Sequence, residues 1–403
     1  MIYSLPEKIE KFVADVVANS TPSHSPVFIL DMDGNALLGY EFAGNTPPCF
    51  DREKLGAQRS IPANANIAQL VESGMIVPRI FAQYPLDVRL PNQLRQCINS
   101  CISQGRLYTI CFLTSRAMED ALQILADSGI DSPHLVTLIA DSGAIARFEG
   151  VQTNVAMLNA PQQGVLNNIA TLLPDIETVI DTTLIAHDFN VKSRPEVSVE
   201  RKNIACNFHY RKILEFYDCN ASSSLAQDIA QALASQCQKY LDASAPSDFA
   251  LLHGPATIEI KLVGCDKSNG IEALVKQLKT KDVKPSALIY AGDDVCSHHA
   301  NGAVFPGTDY FAFLAIQQLK RTALFPVYTI HTLHPLGSDL LGVSPDPAKT
   351  IAPFGIAYEN LEPATITLAT PLALEAIVVD TVTRLMPEKD NNDWQRERDS
   401  NPR

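Results

Sequence analysis

The sequence predicts an α/β fold with a doubly wound parallel sheet, into which an α+β module is inserted. Short apolar runs without alternation, such as 27–30 and 107–113, are typical of strands buried on both faces of a parallel sheet. Segments with apolar residues at helical spacing lie between these runs, which is the order of β–α–β units. The rhythm changes after about residue 145 and returns near residue 287, as an insertion would require.

In the first part of the chain, predicted helices and strands alternate. The expected helices are 5–19, 90–103 and 118–128, and the expected strands are 27–31, 107–113 and 135–140. Residues 36–80 are punctuated by Gly, Pro, Asn and Asp, which indicates a long insertion after the first strand.

The module in the middle of the chain mixes alternating strands with helices. Strands are expected at 151–158, 182–189, 196–210 and 256–263, and helices at 161–174 and 222–242. The parallel-sheet pattern then resumes with strands at 287–291, 326–333 and 364–368 and a helix at 371–385. The predicted domains are therefore a discontinuous core, 1–145 and 265–386, an inserted cap, 146–264, and a disordered polar tail, 387–403.

Composition limits the classes of function. Acidic residues outnumber basic ones by 45 to 32 in the 403 residues, giving a formal charge of −13. This balance argues against a broad nucleic-acid surface. No apolar run approaches a membrane span, and the first residues lack the apolar core of a signal peptide, so we expect a cytoplasmic protein. The nine scattered cysteines favour buried free thiols over zinc or disulfides, and the sequence carries no signal for an oligomeric state.

Polar groups follow three of the predicted strands. Asp31 and Asp33 come after the first, Thr114 after the second, and Asp293 with Asp294 after the strand at 287–291. The alternative interpretation of Asp31 and Asp33 is a polar turn, since Asp and Gly are common in turns. The carboxyl ends of parallel strands meet at one edge of a sheet, where ligands bind.

The chemistry of these groups suits a phosphate and a hard cation. Several carboxylates suit Mg²⁺, which prefers oxygen ligands. A hydroxyl and an ammonium, such as Lys267 would supply, suit a phosphate. A carboxylate nucleophile beside a second carboxyl is a known route for phosphoryl transfer. The pattern therefore favours Mg²⁺-assisted phosphate chemistry.

The order of these motifs resembles that of the haloacid dehalogenase superfamily, and within it the trehalose-6-phosphate phosphatase family. The core motifs are DMDG at 31–34, TSR at 114–116, Lys267, and GDD at 292–294. The inserted module adds VERK at 199–202, HYR at 209–211, and Glu259 eight residues before Lys267. The resemblance covers roughly residues 25–386 and implies a Rossmann-like core with an α+β cap.

The resemblance also implies roles for the core residues. Asp31 would be the nucleophile that forms an aspartyl-phosphate, and Asp33 would protonate the leaving oxygen and then activate water. Thr114, Ser115 and Lys267 would bind the transferring phosphoryl group. The Mg²⁺ ligands would be Asp31, the backbone carbonyl of Asp33, and Asp293, with Asp294 beside them.

In the cap, the resemblance implies that Glu200, Lys202, Arg211 and Glu259 bind the sugar hydroxyls. Without it, Glu200 and Lys202 would be interpreted as an exposed ion pair. The alternative interpretation of His209 is a buried structural histidine, and that of Tyr210 is a packing residue. The expected substrate is trehalose 6-phosphate, a small-molecule sugar phosphate. Another glycosyl phosphate, such as glucosylglycerol phosphate, is the second possibility.

One departure from the family pattern concerns the metal. The family usually has a second acid four residues after Asp293, where this chain has Ser297. Loss of a supporting acid weakens metal binding. A sugar-phosphate-binding domain with impaired catalysis is therefore a third possible function.

Overall fold

The structure is a computed structural model that describes most of the chain. The described residues are 4, 6–21, 24–42, 76–79, 87–217, 219, 223–244, 247–254, 256–293, 296–298, 304–306, 308–332, 363–368 and 371–386. The predicted tail 387–403 lies outside them, as does Asp294.

The described residues form both strands and helices. The strands are β1 (Val27–Leu30), β2 (Leu38–Phe42), β3 (Ile76–Arg79), β4 (Asp87–Arg89), β5 (Ile110–Leu113), β6 (Thr137–Ala140), β7 (Ile145–Phe148), β8 (Val151–Asn154), β9 (Ser198–Arg201), β10 (Ala205–His209), β11 (Phe249–Gly254), β12 (Thr257–Leu262), β13 (Leu288–Gly292), β14 (Cys296–His298), β15 (Val304–Pro306), β16 (Val327–Thr332) and β17 (Ile366–Leu368). The helices are α1 (Pro6–Ala18), α2 (Asn92–Ser103), α3 (Met118–Asp127), α4 (Ala160–Asn168), α5 (Leu173–Ala186), α6 (Arg211–Phe216), α7 (Ser224–Ser244), α8 (Lys267–Thr280), α9 (Tyr310–Thr322) and α10 (Pro371–Arg384).

The largest sheet among the described residues has eight strands in the order β17-β16-β13-β1-β5-β6-β7-β8. Pairing is parallel from β17 to β6 and antiparallel for β7 and β8. β1 lies between β13 and β5. The strand that precedes Asp31 is therefore flanked by the strands that precede Asp293 and Thr114.

Helices cover both faces of this sheet. Phe28 and Leu30 belong to an apolar cluster with α1, α2, α3 and α10, whereas Val27 and Ile29 belong to a second cluster with α8 and α9. Alternate side chains of one strand enter opposite layers because the side-chain period of a strand is two. The predicted doubly wound α/β fold is confirmed.

The cap has its own sheet, a four-stranded antiparallel one in the order β11-β12-β10-β9. Phe208, Ile258 and Ile260 point into an apolar cluster with α4, α5 and α7. Because Asn207 and Glu259 alternate with these residues, they lie on the opposite face. One face of the cap sheet is therefore packed and the other is polar.

Several details of the predicted layout were wrong, and two of them concern the limits of the cap and its helices. The change of sheet comes after Asn154 rather than at residue 146, because β7 and β8 pair with the core sheet. Residues 182–186 end a helix, α5, rather than forming a strand at 182–189. Ile176, Ile180 and Leu184 repeat every four residues and are buried, and this helical period outweighs the β-branched composition.

The insertion after the first strand is partly described. β2, β3 and β4 form a three-stranded antiparallel sheet. Across the described ranges, no helix is both long enough and apolar enough to cross a membrane.

Candidate active site

Asp31 lies directly after β1, at the carboxyl edge of the sheet, and is 4% exposed. The chain turns there through a single π-helical turn, Met32–Ala36. Asp31 caps this turn, because its Oδ1 accepts a hydrogen bond from the Met32 amide at 2.9 Å. The Lys267 ammonium, at the start of α8, lies 2.9 Å from the same oxygen. The carboxylate is therefore fixed by a backbone amide and by a buried cation.

Asp31 is one of three acids whose carboxylate oxygens converge. Atoms of Asp31, Asp293 and Asp309 lie within 4.8 Å of one another, an arrangement that could hold a metal ion. Asp309 is fully buried just before α9, and Lys267 Nζ lies 2.5 Å from its Oδ1. Its other oxygen accepts a hydrogen bond from the Asp293 amide at 2.9 Å. Asp309 therefore links the lysine to the end of β13.

The approach of Asp309 to β13 depends on Gly292. A Cβ at residue 292 would lie 2.7 Å from Asp309 Oδ2, which is closer than real contacts allow. Tyr290, fully buried two residues earlier, donates its hydroxyl to Asp309 Oδ1.

Electrostatics at this cluster favour a bound cation. Burial and the neighbouring Asp309 raise the pKa of Asp31 well above its usual range, although Lys267 acts to lower it. The pKa of Lys267 is raised, because Asp309 and Asp31 outweigh the effect of burial. Among the described residues, the three carboxylates of this cluster lie around the ammonium of Lys267. A divalent cation would balance them, and oxygen ligands are those that Mg²⁺ prefers.

Asn35 adds an oxygen to the same region. It is buried, and its Nδ2 donates to Asp293 Oδ1 at 2.9 Å. Its own Oδ1 is buried and has no hydrogen-bond partner among the described residues. A buried amide oxygen without a partner is costly, and a ligand or a metal-bound water would satisfy it.

The segment after β5 supplies hydroxyl groups. Thr114 is fully buried, and its Oγ1 accepts a hydrogen bond from the Arg116 amide at 3.1 Å. The hydroxyl oxygen of Ser115 is buried and lacks a partner within the described part of the chain. A phosphate oxygen would satisfy that hydroxyl. Both hydroxyls predicted for phosphate binding therefore lie directly after β5, the strand next to β1.

Asp33 has a different environment from Asp31. Its side chain is half exposed and forms a bidentate ion pair with Arg116, with both nitrogen–oxygen distances 2.8 Å. Arg116 also contacts Asp120 at 2.6 Å. The two acids of the DMDG motif are thus separated into a buried, lysine-bound one and an exposed, arginine-bound one.

Three of the predicted sugar-binding residues meet on the polar face of the cap sheet. Lys202 Nζ lies 3.3 Å from Glu259 Oε1 and 3.8 Å from Glu200 Oε2. Asn207 and His209 also contact Glu200, at 2.9 and 3.1 Å. The His209 and Lys202 side chains lower the pKa of Glu200 to about 2 against the effect of burial. The acid is therefore ionised, ready to accept hydroxyl hydrogen bonds.

The fourth predicted residue, Arg211, is exposed at the start of α6, and within the described residues no hydrogen bond or ion pair joins it to these three. Lys261, which sequence reasoning missed, lies on their face two residues after Glu259. It is buried, and its burial lowers its pKa.

Asp309 was also missed by sequence reasoning. An acid just before an apolar helix is the ordinary signal of a helix cap, and the long spacing from Asp293 hides its relation to the site. Asp309 lies sixteen residues after Asp293, by the difference of the two numbers. Only the folded chain shows that it stands beside Lys267.

Known proteins resemble this chain in structure rather than in sequence. No protein-family model matches the sequence, and no curated protein matches it. Similar solved structures include the C-terminal domain of a Candida albicans trehalose-6-phosphate phosphatase, with 14% identity, 95% and 98% coverage of the two chains and a TM-score of 0.47. The Aspergillus fumigatus trehalose-6-phosphate phosphatase has 14% identity, 92% and 97% coverage and a TM-score of 0.41. The C-terminal domain of the Candida albicans trehalose synthase regulatory protein has 10% identity, 94% and 99% coverage and a TM-score of 0.45.

Proposed function

We propose that this protein is a Mg²⁺-dependent phosphatase that hydrolyses a sugar phosphate. The first candidate for this substrate is trehalose 6-phosphate. The observation that supports it most is the buried Asp31, which is bound to Lys267 and faces two further acids at the carboxyl edge of the sheet. A buried, oriented carboxylate next to a cation site is suited to nucleophilic attack on phosphorus.

The chemistry divides between Asp31 and Asp33. An oxygen of Asp31 attacks phosphorus, the bond from phosphorus to the sugar oxygen breaks, and Asp33 gives that oxygen a proton. Asp33 then takes a proton from water, the water oxygen attacks phosphorus, and the bond to Asp31 breaks to release phosphate. Because both oxygens of Asp33 accept hydrogen bonds from Arg116, this ion pair must open and Asp33 must take up a proton from solvent before it can donate one.

Other residues neutralise and position the phosphoryl group. Lys267 offsets the charge of the crowded carboxylates, and the Thr114 and Ser115 hydroxyls would bind phosphoryl oxygens. Mg²⁺ would be held by Asp31, the Asp33 backbone carbonyl and Asp293, with Asp309 bound to Lys267 beside it. When bound, the ion polarises the phosphoryl oxygens.

The cap supports the proposed substrate class. Its polar face presents carboxylates, ammonium groups and an amide, which form directional hydrogen bonds with sugar hydroxyls. Another glycosyl phosphate remains the second candidate, because the same groups would bind it. Asp309 supplies an acid near Asp293 where position 297 is serine, and this supports catalysis over ligand binding alone.

A substrate panel tests the proposal. Phosphate release is measured from trehalose 6-phosphate, glucosylglycerol phosphate and simple phosphate esters, with and without Mg²⁺, for the wild type and for Asp31→Asn. We expect Mg²⁺-dependent release that is fastest with trehalose 6-phosphate and is abolished in the variant. If the wild type and Asp31→Asn both release no phosphate from any substrate, the proposal that the protein is a phosphatase is wrong. If trehalose 6-phosphate raises the melting temperature without turnover, the protein is a binding domain.

A further inference from the structure

The segment 141–143, directly after β6, has an unusual backbone. Asp141 and Ser142 both have a φ of 52°, and Gly143 has a φ of 96°. Left-handed backbone is unfavourable for residues that carry a Cβ, and it persists only where the surrounding structure enforces it. Two such residues in succession therefore point to a local requirement.

On the core side, this segment is hydrogen-bonded to the residues after β5 and packed against the start of α8. The Asp141 amide donates to the Arg116 carbonyl at 2.7 Å, and the Ser142 amide donates to the Thr114 carbonyl at 3.0 Å. A Cβ at Gly143 would lie 2.4 Å from the carbonyl oxygen of Asp266, the residue that caps α8. The segment is thus packed between the hydroxyl-bearing segment after β5 and the helix that begins with Lys267.

The carboxylate of Asp141 connects this segment to the cap. Its Oδ2 accepts a hydrogen bond from the Asn203 amide at 2.7 Å. Asn203 lies in the tight turn between β9 and β10, where the Lys202 amide donates to the Ala205 carbonyl at 2.9 Å. Asp141 is 1% exposed, and burial raises its pKa although Asn203 donates to it. A buried carboxylate is costly to place without such a partner.

An apolar contact supports the same connection. Ile204, the next residue of the turn, is fully buried and belongs to the core cluster that includes Ala144 and Cys265 rather than to the cluster of the cap. The turn therefore docks on the core by one hydrogen bond and one buried side chain. It continues directly from Glu200 and Lys202, which lie on the polar face of the cap sheet.

We propose that Asp141 is a positioning residue that holds the sugar-binding face of the cap at a fixed place relative to the phosphate-binding segment. This inference rests on the proposed function for its catalytic consequence. Asp141 touches no reacting atom. The Asp141 side chain is bound to the cap turn, and the backbone of 141–142 is bound to Thr114 and Arg116. This double attachment sets the distance between the groups that bind the sugar and those that bind the phosphate. Displacements of about 1 Å at such a support can cost roughly 100-fold in rate.

Two substitutions separate the carboxylate from the backbone strain. Asp141→Gly suits a positive φ but removes the acceptor, whereas Asp141→Asn tolerates this backbone and keeps one acceptor oxygen. Asp188→Gly is the matched control, since Asp188 also has a positive φ of 61° and is exposed in the cap. The readouts are kcat/KM for trehalose 6-phosphate, kcat/KM for p-nitrophenyl phosphate, and hydrogen exchange of peptides covering 198–205.

We expect Asp141→Gly to lower kcat/KM for the sugar phosphate by about 10- to 100-fold. The loss with p-nitrophenyl phosphate, which has no sugar for the cap to hold, should be below about threefold by the same reasoning. Peptides covering the turn should exchange faster in Asp141→Gly, while Asp141→Asn and Asp188→Gly should behave like the wild type.

An equal loss on both substrates would overturn the proposal, because it would indicate general damage. Unchanged exchange in Asp141→Gly would also overturn it, because the carboxylate would then not hold the turn. If no variant or wild type releases phosphate, the proposed function fails, and the exchange measurement alone decides whether Asp141 anchors the cap.

Discussion

At the scale of single residues, Asp309 connects the groups of the proposed metal site. It supplies the third carboxylate of the cluster and contacts Lys267 and the Asp293 amide. The fourth residue after Asp293 is Ser297, so the acid that supports the site comes from a later part of the chain. Groups that orient metal ligands matter nearly as much as the ligands themselves.

Replacing Asp309 by Asn should weaken Mg²⁺ binding by about 10- to 100-fold, because Lys267 and Asp293 lose the carboxylate that orients them. The Mg²⁺ concentration that gives half-maximal activity measures this effect, and calorimetric titration measures it without turnover. Asp242→Asn, an exposed position on α7, is the control. Unchanged Mg²⁺ affinity in Asp309→Asn would remove Asp309 from the site.

Asp31 should reduce stability when no cation is bound. The pKa of Asp31 is raised in the folded protein, so ionising this carboxyl group destabilises the fold. The destabilisation is present above the unfolded pKa of about 4 and disappears as the pH falls to that value. Asp31→Asn should therefore melt about 2–4 °C higher than the metal-free wild type at pH 8 and equally at pH 4. Thermal melts with and without Mg²⁺ test this. A wild type that is more stable than Asp31→Asn at pH 8 without Mg²⁺ would contradict it.

At the scale of secondary-structure elements, the site depends on how β13 packs against the start of α9. Gly292 ends the strand, and its missing side chain makes room for the Asp309 carboxylate. Sequence patterns predicted the strand before Asp293, but they could not show which later helix reaches it. Such a contact depends on tertiary packing rather than on local spacing.

Gly292→Ala should displace Asp309, cost about 1–3 kcal/mol of stability and raise the Mg²⁺ requirement. Gly164→Ala is the matched control, because a Cβ there meets nothing within 4 Å, and alanine is favoured over glycine inside α4. Chemical denaturation and Mg²⁺ titration measure both variants. Wild-type stability and Mg²⁺ affinity in Gly292→Ala would show that the close approach is not required.

The cap sheet offers a test of its charged network. Lys202→Met removes the ammonium 3.3 Å from the buried Glu259, which should cost about 1–3 kcal/mol. Adding Glu259→Gln removes the carboxylate that lost this partner and should restore much of the stability but not the activity on sugar phosphates. Denaturant unfolding and kcat/KM are the measurements, with the exposed Arg211→Ala as the control for stability. Full activity of the double variant would show that this pair is structural only.

At the scale of the whole molecule, sequence reasoning predicted the layers and the insertion more reliably than the residues at which they begin and end. The apolar runs before Asp31 and Asp293 predicted the central strands, because complete burial leaves a clear apolar signature. The residues of β7 and β8 fell almost entirely within the predicted cap, because a local sequence pattern does not show which sheet a strand joins. Asp309, Asp141 and Lys261 act through contacts between distant segments, which no local pattern contains.

The most direct measurement is detection of a phosphate group on Asp31. The protein is mixed with trehalose 6-phosphate and Mg²⁺, quenched rapidly in acid, digested, and examined by mass spectrometry. We predict a phosphorylated peptide that contains Asp31 and is absent from Asp31→Asn. Phosphate release by Asp31→Asn at the wild-type rate would contradict the account.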